Sequence, residues 1–267
     1  MLTTETPAAA PALTLDSTLR ELLAHVPTYQ PAQVDDFYKP GWWVKWSEAD
    51  QSNYIRDLGL SEVALNGKSF MDVGCAEGYA CFHAEQKGAR FVIGCDGHGW
   101  KYGTGSADSY NVPSAGNMML MFEVLRLLKR SRVVRLVMDL ESPDFVDSVF
   151  RLSSQKKIDV VLCAGLFYHS YNPVAALRNL FLVTGERAVI NIPDFRAMQA
   201  DGRIFTPYHN LPEQNNFDYK STVRYGGANN RLWNLAPDDW AAMIEFAGFR
   251  VIKRTPTGPA FAYECTV

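Results

Sequence analysis

Three aspartates stand at the ends of three apolar segments of the chain. Asp96 stands eighteen residues after Gly78, a spacing at which a carboxylate is suited to accept both ribose hydroxyls of a nucleotide-like ligand. Asp139, with its apolar neighbour Leu140, is suited to bracket an adenine. Taken singly, each acid is just as typical of a helix N-cap. Three of them at consecutive strand ends, with Asp72 at the first, favour a ligand site.

A glycine-containing loop, Asp72-Val73-Gly74-Cys75-Ala76-Glu77-Gly78, leads from the first apolar segment into a helical pattern. Gly74 permits a tight turn and close approach of a ligand to the backbone, and Gly78 permits close packing of the helix. In the dinucleotide fingerprint a glycine stands where this chain has Ala76. The carboxylate of Glu77 would also repel a diphosphate. The loop therefore favours a cationic nucleotide-like ligand such as S-adenosylmethionine (SAM) over NAD.

The elements that would position these residues are apolar strands alternating with helices. Such alternation is typical of a parallel sheet covered on both faces. We predict an α/β fold with a Rossmann-like, seven-stranded, mostly parallel sheet and helices on both faces. Ligands of such sheets bind beyond the carboxyl ends of the strands, where the aspartates stand. The predicted strands are 70–73, 90–95, 133–138, 158–163, 187–192, 249–254 and 260–266, and the helices between them are 79–86, 116–129, 144–152, 173–182 and 237–246.

The chain divides by composition into a leader, a cap and a larger domain. Residues 1–14 are rich in Ala, Thr and Pro and predict a flexible leader. Residues 15–60 predict a small N-terminal cap of helices and aromatic segments without a sheet. Residues 61–267 predict the α/β domain, and its stretch 195–232, rich in Asn, Gly, Tyr and Pro, predicts an insertion on the acceptor side.

Residues 67–89 resemble motif I of the class I SAM-dependent methyltransferases. Within that class the chain is similar to the branch of the bacterial tRNA wobble-uridine carboxymethyltransferase. The branch has a "GvLYH…P" segment, which Gly165–Pro173 matches, and a late "W-x-P…L…aGF" segment, which Trp233–Pro237 and Ala247–Phe249 match loosely. The resemblance covers roughly residues 40–255 and implies a class I methyltransferase that uses SAM.

The resemblance and the strand-end pattern together predict the site residues. In the family, the segment that includes Tyr168 and His169 faces the sulfonium. His169 is then a general base or a structural histidine, and Tyr168 orients the acceptor or merely packs. The residues predicted to bind the cofactor are Asp72, Gly74, Cys75, Ala76, Gly78, Asp96, Asp139, Leu140 and Gly165.

An aromatic cluster in the cap and one distant histidine are the remaining substrate candidates. Trp42, Trp43 and Trp46 form either core or a ligand wall. In the resembling family this region covers the cofactor pocket, which would let Lys45 contact an anionic acceptor or a cofactor carboxylate. The alternative is that the tryptophans are cap core and Lys45 is solvated. His209 lies in the predicted insertion.

Charge helps to choose among acceptors. The net charge is -3, and no basic stripe typical of a nucleic-acid binder is evident. Ser170 and Tyr171 follow the Tyr-His pair where the tRNA enzymes tend to be basic, and the basic N-terminal arm of a tRNA binder is missing. We therefore predict a small-molecule acceptor, with tRNA carboxymethyl transfer as the alternative. A non-catalytic SAM-binding regulator is a third hypothesis.

Cysteine usage and hydropathy indicate the cellular compartment and the kinds of site to expect. The five cysteines are odd in number and form no CxxC pair, so a disulfide framework is not expected and the cytoplasm is the predicted compartment. No carboxylate and histidine cluster has metal-ligand spacing, so no metal is predicted. No run approaches the ~20 apolar residues of a membrane span.

Overall fold

The computed structural model describes residues 14–41, 51–97, 115–170, 172–194, 233, 235–257 and 260–267. Among them the helices are α1 Leu15–His25, α2 Gln51–Asp57, α3 Tyr79–Gln86, α4 Ala115–Leu128, α5 Phe145–Leu152, α6 Pro173–Val183 and α7 Pro237–Phe246, with a 3₁₀ turn at Phe167–His169. The strands are β1 Ala32–Val34, β2 Phe37–Lys39, β3 Ser69–Val73, β4 Phe91–Cys95, β5 Val134–Leu136, β6 Ile158–Ala164, β7 Thr184–Pro193, β8 Arg250–Thr257 and β9 Ala260–Thr266.

A seven-stranded sheet in the order β5-β4-β3-β6-β7-β9-β8 forms the centre of the fold. Strands β3 to β7 are mutually parallel, whereas β9 runs antiparallel to both β7 and β8. The predicted Rossmann-like, mostly parallel sheet is therefore confirmed. From β3 the chain order runs one way through β4 to β5 and the other way through β6 to β7. The switch point between β3 and β6 is where ligands of such sheets bind.

Helices cover both faces of the sheet, as the alternating pattern predicted. Successive residues of a strand point to opposite faces. Phe70 therefore belongs to the buried cluster that includes α3 and α4, whereas Met71 belongs to the one that includes α5, α6 and α7. Burial of apolar side chains on both faces is the main stabilising contribution to such a three-layer fold. The core thereby fixes the carboxyl ends of β3, β4 and β6 relative to one another.

The N-terminal region packs on the α3 and α4 face. Leu23 of α1 and Ile55 of α2 are buried in the core on that side. Between these helices lies an antiparallel hairpin in which Val34 of β1 pairs with Phe37 of β2. The expectation of a cap without strands is wrong in this detail, because the short loop at 35–36, with Asp35 at a φ of 52°, turns the chain back on itself.

The part of the chain that the structure describes holds neither a membrane-spanning helix nor a cluster of metal ligands. In those residues no helix is both long enough and apolar enough to cross a bilayer. Nor do they contain a group of three or more His, Cys, Asp or Glu side chains able to hold a metal ion.

Candidate functional site

Two buried carboxylates, Asp72 and Asp96, lie at the carboxyl ends of neighbouring strands and are called here the acid pair. Asp72 pairs with Gly94 in the β3–β4 register, and Asp96 follows β4 directly. Their exposed fractions are only 3% and 6%. Burial, together with the charge of Asp96, raises the pKa of Asp72 from 3.8 to about 8. Two buried acids that raise the cost of charge on each other make a site suited to positive charge.

The loop after β3 is held in a conformation that its residue types explain. Gly74 and Gly78 have φ angles of +86° and +88°, which favour glycine. A Cβ at Gly78 would lie 2.7 Å from ring atoms of Phe122, so the α3–α4 packing also requires glycine there. Ala76 has a φ of 49° and donates its N–H to Oδ2 of Asp96 at 3.0 Å. It adopts the left-handed conformation, which glycine fills more easily.

Glu77 turns its carboxylate to the cap. It is 1% exposed, and its two oxygens accept the backbone N–H groups of Tyr29 at 2.6 Å and Gln30 at 3.2 Å. Gln30 in turn accepts the N–H of Tyr79 at 3.1 Å through its side-chain oxygen. We call these four residues the clasp. Burial raises the pKa of Glu77 to about 7 against the lowering effect of the amides.

The clasp corrects one sequence interpretation. The charge of Glu77 was expected to lie beside the ligand, but its oxygens are bound to cap amides. The negative charge at the sheet edge comes from the acid pair instead. A buried acid that satisfies backbone donors is hard to distinguish in sequence from one that faces a ligand.

The third predicted acid lies close to the second. A Cβ at Gly97 would fall 2.1 Å from Oδ1 of Asp139, so Gly97 makes room for that carboxylate beside Asp96. Leu140 is buried in the core on the α5 and α6 face, and Cys75 is completely buried on the opposite face. Contact of these last two with a ligand, which was predicted, would therefore involve their backbones more than their side chains.

The segment after β6 brings the acceptor-side candidates to the glycine loop. Gly165 has a φ of 70°, and a Cβ there would lie 3.5 Å from the Tyr168 hydroxyl. A Cβ at Gly74 would meet Leu166 at 3.6 Å, so the two glycine turns face each other across the switch point. Trp233 fixes the turn, because its backbone N–H donates to the carbonyl of Tyr168 at 2.9 Å and its indole to that of Ser170 at 2.8 Å.

Several predicted site residues lie outside the described part of the structure. These are the aromatic cluster with its lysine and the distant histidine: Trp42, Trp43, Lys45, Trp46 and His209. The backbone of His169 belongs to the 3₁₀ turn, but its side chain is likewise outside the described set. Their roles stay predictions.

Two tyrosines of the cap were missed by the sequence analysis. Burial raises the pKa of Tyr29 well above its usual value, and the charges of Tyr168 and Asp96 contribute. Burial likewise raises the pKa of Tyr54, with a contribution from Asp72. Tyr54 accepts a hydrogen bond from the Gln30 amide at 3.3 Å. Both hydroxyls are thus within electrostatic reach of the acid pair, and only folding of the cap brings them there.

Comparisons of sequence give weak but consistent matches. The chain is 29% identical over 117 residues to a tRNA U34 carboxymethyltransferase of Campylobacter hominis, in a match covering 43% of this chain and 32% of the relative. It is 25% identical over 153 residues to the enzyme of the same name from Nautilia profundicola, covering 56% and 39%. The match spans well under half the length of these relatives. No protein-family model matches.

Comparisons of structure cover nearly the whole chain at low identity. The N-terminal domain of EvdMO1 with SAH bound aligns with a TM-score of 0.56 and 15% identity over 95% of this chain and 96% of that one. A SAM-dependent methyltransferase from Mesorhizobium loti aligns with a TM-score of 0.54 and 11% identity, covering 82% and 99%. Magnesium protoporphyrin IX methyltransferase from Synechocystis PCC 6803, also with SAH, gives 0.50 and 14%, covering 94% and 95%. The chain therefore has the fold of the class I SAM-dependent methyltransferases.

Proposed function

We propose that this protein binds SAM at the carboxyl ends of β3 and β4 and transfers its methyl group to a small-molecule acceptor. The observation that carries the proposal is the acid pair beside a glycine turn at the switch point of this fold. Burial and mutual repulsion make the two carboxylates costly unless a cation is near. SAM carries a sulfonium and an ammonium, whereas a dinucleotide would bring phosphates to the same acids.

The described residues fit such a cofactor. Asp96 would hold the ribose, Asp139 would lie toward the adenine, and Asp72 would favour the cationic methionine end. The turns at Gly74 and Gly165 leave the backbone accessible on both sides of the switch point. When bound, SAM supplies a methyl group that is already strongly electrophilic, so the protein has mainly to orient the acceptor and exclude water.

Tyr168 and His169 are our candidates for the acceptor side. Tyr168 would orient the acceptor, with Tyr29 of the cap covering the same place. His169 would accept a proton if the acceptor atom carries one at neutral pH. An acceptor already bearing a lone pair without a proton needs no base, and His169 would then be structural.

The charge distribution favours a small acceptor. Many described basic side chains are paired with carboxylates, as in Arg20 with Asp35, Lys68 with Glu186 and Lys253 with Glu62. A cation that is already paired with a carboxylate attracts a phosphate backbone less strongly. Magnesium protoporphyrin IX methyltransferase, by its name, acts on a small molecule within the same fold. The free, buried state of the five cysteines agrees with the cytoplasm as our proposed compartment.

Calorimetric titration of purified protein with SAM and with NAD tests the cofactor assignment. We expect SAM to bind and NAD not to bind. Asp96→Ala should weaken SAM binding by about 10- to 100-fold, because two hydrogen bonds to a charged acceptor are lost. The exposed Asp144, changed to Ala, serves as the matched control and should leave the affinity unchanged. Absence of SAM binding to the wild-type protein would refute the proposal.

The acceptor is best identified by native mass spectrometry of ligands retained after gentle purification. A retained small molecule that gains one methyl group on incubation with SAM would support the proposed class. Variants of Tyr168 and His169 should then slow turnover while leaving SAM affinity nearly unchanged. A tight SAM complex with no turnover on any retained compound would favour the regulatory alternative.

The second candidate function is carboxymethyl transfer to tRNA, which the names of the curated relatives favour. A tRNA enzyme should bind unmodified tRNA with an affinity that falls steeply as salt rises. It should also prefer the carboxylated derivative of SAM. Gel-shift titration with unmodified tRNA at two salt concentrations separates the candidates, because a small-molecule enzyme should bind the tRNA only weakly even at the lower salt concentration.

A further inference from the structure

A cavity of about 570 Å³ lies along the outer side of α3, at a distance from the acid pair. We call it the α3 cavity. Its walls are α3, the cap residues 31–33, the segment 60–66 and the end of α4. None of the predicted cofactor residues is among those lining it. Its volume is in the range of sites for small organic ligands.

The cavity extends away from the proposed cofactor site. Tyr79, at the start of α3, lies at its near end, and Lys87, just beyond the end of α3, lines it too. Asn66 also lines it and precedes β3, so the far part lies toward the amino ends of the strands. Ligands of this fold meet the carboxyl ends. The α3 cavity is therefore a separate place on the molecule.

The lining combines an apolar body with positive charge. Lys87 and Lys129 are its cationic side chains, whereas burial and the charge of Lys87 lower the pKa of His83. No carboxylate is among its described lining residues. This excess of positive charge over negative charge in the lining favours an anionic ligand over an uncharged one. The apolar side chains that line the cavity are Ile55, Leu60, Val63, Leu65, Phe82 and Leu125.

Lys129 is the side chain of the cavity that a bound anion would stabilise most. Its ammonium lies 5.8 Å from the centroid of the Phe82 ring, and burial lowers its pKa. The charges of Asp35 and Glu85 act against this lowering, but both acids have other partners: Asp35 binds Arg20 at 2.7 Å and Glu85 accepts the N–H of Arg132 at 2.8 Å. A half-buried cation without an ion pair among the described residues loses hydration without full compensation.

We propose that the α3 cavity binds a small organic acid whose body is apolar, with its acidic group against Lys129 and Lys87. The apolar part would lie against Phe82 and the leucine-lined wall. Because Lys is a compact point charge, it accepts a carboxylate or a phosphate without demanding a planar geometry. The site does not depend on the proposed methyl transfer.

Calorimetry with decanoate and with decanol, both without SAM, tests this site. Decanoate should bind about tenfold more tightly than decanol, because only decanoate offers charge to the lysines. Lys129→Met keeps the apolar stem and should remove most of that preference, whereas Lys129→Arg should retain it. Lys156→Met, an exposed lysine outside the cavity, is the matched control. Equal affinity for the two probes, or no effect of Lys129→Met on decanoate, would overturn the proposal.

A second measurement needs no variant. In wild-type protein, decanoate should shift the ring resonances of His83, which lines the cavity, and leave those of His25, at the end of α1, unchanged. Binding that shifts neither histidine would place decanoate elsewhere and would also overturn the proposal.

Discussion

The acid pair and the clasp each contain a buried carboxylate of the same loop, Asp72 and Glu77, but the surroundings of the two carboxylates differ. Glu77 in the clasp receives two backbone N–H groups, which oppose the effect of burial, and its pKa rises only to about 7. Asp72 in the acid pair faces a second carboxylate, Asp96, which adds to the effect of burial, and its pKa rises to about 8. Asp96 also raises the pKa of Glu77, but there the backbone donors oppose the effect and tie the acid to the fold. At Asp72 burial and the charge of Asp96 act in the same direction, which suits that acid to a cationic ligand.

The largest expected effect concerns the clasp. Glu77→Ala leaves the buried N–H groups of Tyr29 and Gln30 without their acceptor, so we expect the free energy of unfolding to fall by about 3–5 kcal/mol. Urea unfolding measures it. Glu186→Ala is the matched control, because that carboxylate pairs with Lys68 at the surface and should change stability by only about 0.5 kcal/mol. Similar losses in both variants would show that the clasp does not support the cap.

In the acid pair we expect a substitution to raise the free energy of unfolding, the opposite of the change in the clasp. Because burial and the charge of Asp96 raise the pKa of Asp72 to about 8, the folded protein holds a proton there at neutral pH that the unfolded chain has released. Asp72→Asn removes this cost of folding, so without SAM the free energy of unfolding should rise by about 1–3 kcal/mol at neutral pH. The same variant should bind SAM about tenfold more weakly, since the cation loses a counter-charge. One substitution should thus raise stability and lower the affinity for SAM. A variant that is less stable would contradict the contrast between the two regions.

Asp159→Asn is the matched comparison for that variant. Asp159 accepts hydrogen bonds from the backbone and hydroxyl of Ser69 and from Arg90, at 2.8 to 2.9 Å. Although burial opposes it, these donors lower the pKa of Asp159. The amide should therefore cost about 1–3 kcal/mol of stability, the reverse of the change at Asp72.

The pH dependence of stability sharpens the same contrast. In the folded protein the pKa of Asp72 rises from 3.8 to about 8 and that of Glu77 from 4.5 to about 7. The folded state then holds protons that the unfolded chain has released, so stability falls as pH rises through this window. Each retained proton lowers stability by about 1.4 kcal/mol per pH unit, so urea unfolding should show a loss of about 4–6 kcal/mol between about pH 5 and 8. In Asp72→Asn the decline above about pH 7 should disappear; a decline that persists there would assign it to another group.

Much of the fold could be predicted because its signals are local. The apolar runs that became β3, β4 and β6 are nearly continuous, and burial on both faces demands that pattern. Gly74 and Gly78 were informative because a positive φ restricts residue type. The β1–β2 hairpin was missed because three-residue strands carry little periodicity.

The candidate site was less predictable where partners lie far apart in sequence. Glu77 meets Tyr29 and Gln30 across almost fifty residues, and no spacing rule connects them. The acids at strand ends were found because parallel strands bring their carboxyl ends to one edge. Whether an acid there faces a ligand or a backbone amide depends on the cap, whose docking the local pattern does not encode.

The smallest expected effect concerns Thr28, which precedes the clasp. Its Oγ1 is buried and has no hydrogen-bond partner among the described residues. Valine has nearly the same shape, so Thr28→Val should remove an uncompensated polar group and leave stability unchanged or raise it by up to about 1 kcal/mol. Thr184→Val is the matched comparison, because the Thr184 hydroxyl donates to the Leu180 carbonyl at 2.7 Å and its loss should cost about 1 kcal/mol. If thermal unfolding showed equal losses, the Thr28 hydroxyl would have a partner in solution, and the segment leading into the clasp would be held by more than Glu77.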